Sequence, residues 1–109
     1  MAKVKEYSLI YVSCKFGGDM DRIKLCEEFI KELMKEDRKN GVTNKVYISP
    51  LHTFGWTYDL VDYDRGLDMA LSLLDKCDYM YVVPDYEGSK GCLQEIGFCK
   101  AKGIPIRFL

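Results

Sequence analysis

One histidine, His52, and five cysteines without a Cys-x-x-Cys spacing leave no cluster of metal ligands, which argues against a zinc centre. The odd count of cysteines, spread over Cys14, Cys26, Cys77, Cys92 and Cys99, fits no disulfide framework, so the thiols are expected to be reduced. No apolar run approaches a membrane span, and the opening Met-Ala-Lys-Val-Lys-Glu lacks the apolar stretch of a secretion signal. A cytoplasmic protein without membrane contact is expected. An excess of either charge is missing too. The 16 basic and 17 acidic residues are interspersed to a net −1, which leaves no basic stripe to hold a nucleic-acid polymer.

What is present is enough for one core. The 109 residues, 48% hydrophobic and 30% charged, fit a single domain over 1–109 without biased or repetitive tracts. Residues 8–13 form a nearly unbroken apolar run, the pattern of a strand buried on both faces. Gly17-Gly18-Asp19 then marks a turn with an N-cap. Ile23, Cys26, Phe29, Ile30, Leu33 and Met34 follow at helical spacing, and the helix should fray over 35–40 and stop at Gly41.

A second strand is expected at 45–48, closed by Ser49-Pro50, with 51–60 as a loop holding His52, Phe54, Trp56 and Tyr58. Those rings either cap the sheet edge, pack between subunits, or line a pocket. A second amphipathic helix runs from 63 or 64 to 76 with Leu67, Ala70, Leu71 and Leu74 inward. A third strand at 79–83, a third helix at 90–102 stopping at Gly103, and a last strand at 104–108 complete the chain.

The order βαβαβαβ predicts a small α/β fold, Rossmann-like (flavodoxin-like), with about four parallel strands and helices on both faces. Ligands of such sheets bind outside the carboxyl ends of the strands. That selects the loops at 14–19, 49–60 and 84–90, with a fourth after Phe108 expected to be absent because the chain ends at Leu109. The open side, the small size and 8 tyrosines favour a homodimer or higher homo-oligomer.

Gly88-Ser89-Lys90-Gly91 lies between a buried strand and a helix, where free backbone N–H groups and the helix dipole favour an anion such as phosphate. Ser89 in its simplest role is only an N-cap. Gly17 and Gly18 in the first loop converge on the same rim, and Lys15, Arg22 and Lys90 are candidate phosphate partners or plain solvated cations. Glu95 is either a solvent-facing helix glutamate or a functional carboxylate. Its apolar flank of Cys92, Leu93, Ile96, Phe98 and Cys99 speaks against a wet face. Six positions separate Ser89 from Glu95, roughly 9 Å of helical rise, about the span from a sugar 5′-phosphate to its anomeric carbon. A carboxylate there can attack or stabilise an oxocarbenium-like centre, while a second acid usually protonates the leaving group. Asp59, Asp62, Asp64, Asp68 and Asp85 all fall near the predicted rim, and spacing does not choose among them.

Several blocks together resemble the nucleoside 2-deoxyribosyltransferase-like superfamily, which includes deoxynucleoside 5′-monophosphate N-glycosidases and a branch of short phage and bacterial proteins. They are Ile10-Tyr11-Val12-Ser13 with Gly17-Gly18 and Asp21-Arg22, Ser49-Pro50-Leu51-His52, Gly66-Leu67-Asp68-Met69 with Cys77-Asp78, and Ser89-x-Gly91-x-x-x-Glu95-Ile96-Gly97 with Gly103-Ile104-Pro105. The resemblance implies a catalytic Glu95, Tyr11 beside it and Ser89 on a 5′-phosphate; Gly91, Gly17, Gly18, Lys90 and His52 are the further candidates around a nucleoside or nucleotide, and no cofactor is expected. The family's helix aspartate falls on Ala70; Asp68 is about 200° of rotation from that position, and Asp64, which would have to reach from the helix start, is taken as the candidate second acid while the other rim aspartates stay open. The function implied is an N-glycosidase or deoxyribosyltransferase, and the alternative is a nucleotide-binding protein without turnover.

Overall fold

A computed structural model describes residues 6–109, and residues 1–5, where no apolar leader is expected, lie outside the described residues. The chain runs β1 (Ser8–Ser13), α1 (Met20–Lys39), β2 (Lys45–Ile48), α2 (Pro50–Phe54), a 3-10 turn (Gly55–Thr57), α3 (Tyr63–Leu74), β3 (Tyr79–Val82), α4 (Lys90–Lys102) and β4 (Ile106–Phe108). All strand pairings are parallel, in the order β2-β1-β3-β4. This is the expected α/β architecture with four strands.

Alternation along β1 decides which side chains meet which helices. Ile10 and Val12 face α1, packing with Leu33 and Cys26. Leu9 and Tyr11 face the other layer, packing with Leu74 of α3 and with Ile96 and Cys99 of α4. Right-handed crossovers explain the two layers, because the chain moves one way from β1 to β2 and the other way from β2 to β3 to β4. Asp19, Asp62 and Ser89 cap α1, α3 and α4 with their side chains, and Gly103 ends α4 in the left-handed conformation at φ 76°.

Residues 51–60 are not the expected open loop. Ser49 accepts a hydrogen bond from the backbone N–H of His52 and Pro50 occupies the first turn, so the Ser-Pro pair that closes β2 also starts α2. Other differences are local. Helix α3 ends at Leu74, two residues early, and β4 begins only after Pro105, which has no N–H for the ladder. Met34 and Leu93, expected on buried faces, are 57% and 49% exposed. The five cysteines are unpaired, and no helix among the described residues is long and apolar enough to cross a membrane.

Candidate functional site

The direction of chain progression reverses at β1, which has β2 on one side and β3 on the other. A cavity of about 540 Å³ lies at the carboxyl ends of these strands, within the roughly 300–1,000 Å³ usual for small-molecule sites. Tyr11 and Glu95 contribute to its lining, the turn at 88–91 forms one rim, and Phe16, Leu51, Phe54 and Tyr58 supply apolar wall. Helix α3 contributes a helical stripe of Tyr63, Gly66, Leu67 and Ala70. The ring of Phe16 meets that of Tyr58 edge to face at 5.2 Å.

Glu95 is 6% exposed, so its carboxylate needs partners. Tyr11 supplies one, its hydroxyl donating to Oε2, and Ser13 Oγ donates to Oε1 at 2.9 Å. Both donors come from the same face of β1, two positions apart. Burial pushes the Glu95 carboxyl up to about 6, with the two donors opposing the rise, so the group is largely ionised at neutral pH. The Tyr11 phenol is held well above its ordinary range, first by burial and then by the Glu95 charge, which keeps it a donor.

At the rim, Ser89 Oγ accepts from the Cys92 N–H at 3.2 Å, the N-cap role anticipated as its simplest one. The cap uses a lone pair and leaves the hydroxyl proton for a ligand or for the Cys92 sulfur beside it. Lys15 Nζ stands beside Gly88, where an added Cβ would lie 3.7 Å from it. Lys90 Nζ sits 5.0 Å above the Tyr63 ring, and the Tyr63 hydroxyl donates to Gln94 Oε1 at 2.7 Å. Two ammonium groups and the start of a 13-residue helix therefore flank one turn, an arrangement suited to an anion.

Tyr11, Gly17, Ser89, Lys90, Gly91 and Glu95 thus line one cavity, as the sequence suggested. Gly18, His52 and Asp64 do not, nor do Arg22, Asp59, Asp68 and Asp85. Gly18 sits at φ +81° behind the wall, and an added Cβ would stand 2.8 Å from Tyr58 Cε1, so this glycine makes room for the ring. His52 lies outside the cavity, because α2 replaces the expected loop and turns it away. Its Nδ1 is 2.8 Å from Ser49 Oγ and its Nε2 3.8 Å from Glu27. Asp64 is exposed, about 100° of helical rotation away from Tyr63 and its cavity-facing stripe.

The acid that does reach the wall is Asp62, where Oδ1 accepts from the Arg65 N–H at 2.8 Å. Arg22 stays outside, its Nε donating to Lys15 O at 3.1 Å and its Nη1 3.6 Å from Asp85. Ser13 is the partner that sequence reasoning missed. Strict alternation from Tyr11 along a strand would have found it.

A solved structure of similar fold is the 2-desoxiribosyltransferase from Leishmania mexicana, at TM-score 0.63 and 16% identity over 94% of this chain. The match covers 63% of that protein, so the chain spans less than two thirds of its length, and the likeness is one of fold. No curated protein matches the chain. The family model described as Domain of unknown function (DUF7768) matches residues 8–109, and the chain belongs to that family.

Proposed function

We propose that this protein acts on the N-glycosidic bond of a nucleoside or nucleoside 5′-monophosphate, as an N-glycosidase or deoxyribosyltransferase, with Glu95 at the anomeric carbon. The observation that carries this reading is the Glu95 carboxylate, buried yet lining a cavity, and held by one hydroxyl on each oxygen. Such a group is oriented before substrate arrives, and its negative charge complements a carbon that becomes cationic as the base departs. The turn at 88–91, with Lys15 and Lys90, would take a 5′-phosphate, and the wall of Phe16, Phe54 and Tyr58 would take a planar base. The fold shared with a protein titled 2-desoxiribosyltransferase supports the same ligand class. A homodimer belongs to this reading because Trp56 and Leu60 are 74% and 72% exposed, and sedimentation as a monomer at micromolar concentration would remove that part.

Incubation with a panel of nucleosides and nucleoside 5′-monophosphates should release free base, and Glu95→Ala should abolish it. Equal turnover by the variant refutes the assignment. A second reading, binding without turnover, is favoured by Ala70, whose methyl group lines the cavity where the resembling enzymes carry an acid. Recovery of intact nucleotide from a tight complex after long incubation would establish it.

A further inference from the structure

A purine or pyrimidine bound to a sugar through an uncharged nitrogen leaves as an anion unless some group protonates it, and that demand normally falls on a second acid. Along the cavity-facing stripe of α3, position 70 offers only a methyl group. Among the described residues that line the cavity, the carboxylates are Glu95 and Asp62. Asp62 is exposed, caps α3 through the Arg65 N–H, and stands about 12 Å of helical rise from Ala70. Of the other cavity-lining donors, Lys15, Ser89 and Lys90 stand at the turn proposed for the phosphate, and Tyr58 packs edge to face on Phe16 in the wall. The hydroxyls of Tyr11 and Ser13 serve Glu95, and that of Tyr63 serves Gln94. The Cys14 thiol is pushed up by its contact with Cys26 and then by burial, and the Cys92 thiol by burial, so both are poorer acids than usual.

We propose that the substrate class is a nucleotide whose glycosidic nitrogen is already quaternary, a pyridinium ribonucleotide, so that the leaving ring needs no proton. This rests on Glu95 acting at the anomeric carbon. The C1′–N bond breaks with its electron pair moving onto the pyridinium nitrogen, and the ring departs neutral. The Glu95 carboxylate supports C1′, and water adds there and gives up its proton to solvent. Before cleavage, the aromatic wall of Phe16, Phe54 and Tyr58 suits a cationic ring. After it, the ring is neutral and that attraction is lost, which favours release.

The test measures release of nicotinamide from nicotinamide mononucleotide against release of free base from AMP and the four deoxynucleoside 5′-monophosphates. Nicotinamide release should be at least ~100-fold faster, since no step waits on an acid. Its pH profile should show one ionisation, rising through about pH 6 with Glu95 and staying flat above it. Ala70→Asp should raise release of neutral bases. Neutral bases released as fast as nicotinamide, or a profile that falls again at high pH, would overturn this inference and leave Glu95 as the glycosyl carboxylate. Turnover that survives Glu95→Gln, or no release from any nucleotide, would overturn both.

Discussion

The hydroxyl of Tyr11 donates to Glu95 Oε2, joining the middle of β1 to the middle of α4 across 84 positions of sequence. Neither side chain is oriented by its own element alone. The strand aims the phenol at the layer that holds α4, and the helix returns the carboxylate to it, so the pair exists only once both crossovers have closed.

Removing that donor should therefore affect charge before shape. Tyr11 lowers the Glu95 carboxyl against the upward push of burial, so Tyr11→Phe should carry it further above 6. The rising limb of base release then moves to higher pH, and the plateau falls about 10- to 100-fold, the value of one hydrogen bond to a buried charge. Ser13→Ala should shift the limb in the same direction. A pH–rate profile of each variant checks this, and an unmoved limb with a lower plateau would mean that the hydroxyls only fill space.

Burial raises the Glu95 carboxyl from 4.5 to about 6, so the folded state binds this proton more tightly than the unfolded chain. The group's contribution to stability is fully present below pH 4.5 and is lost as pH rises through 6, a change of about 2 kcal/mol. Glu95→Gln removes that titration. Urea unfolding should show the variant gaining about 2 kcal/mol relative to the unsubstituted protein between pH 4 and pH 8. A difference independent of pH counts against an ionised, buried Glu95.

Ser89 caps α4, and substitution can separate that role from the phosphate contact proposed for it. Ser89→Asp keeps an N-cap of equal quality and places a negative charge at the turn, so thermal stability should stay near that of the unsubstituted protein while phosphorylated ligands bind at least ~10-fold more weakly. A nucleoside without phosphate should be unaffected. Ser89→Ala should cost about 1 kcal/mol by losing the cap. Calorimetric titration of nucleoside and nucleotide on Ser89→Asp decides it, and equal weakening of both ligands would place no phosphate at this turn.

Gly17 and Gly18 look alike in sequence and should not behave alike. An alanine at either position is strained by its positive φ, but only at 18 would the methyl group meet a ring, at 2.8 Å from Tyr58. Gly18→Ala should destabilise by about 1–3 kcal/mol more than Gly17→Ala and move Tyr58, which packs on Phe16 in the cavity wall. Equal denaturation midpoints would show that Tyr58 yields freely.

The order of elements, the limits of β1, β2 and α4, and the caps Asp19 and Ser89 were legible in the sequence, because apolar period and capping chemistry are local properties. The dryness of Glu95 was legible too, from its flanking Cys92, Ile96 and Cys99, all buried. The Ser49-Pro50 signal was present but equally fits the end of a strand and the start of a helix. Only the tertiary structure decided which acids and aromatics share a wall. Asp62 lines the cavity and Asp64 does not, Phe54 and Tyr58 line it and His52 does not, and Ala70 lines it from α3. Local sequence sets a helix and its faces. What a face meets depends on the crossovers and the order β2-β1-β3-β4, which bring distant residues to one strand end.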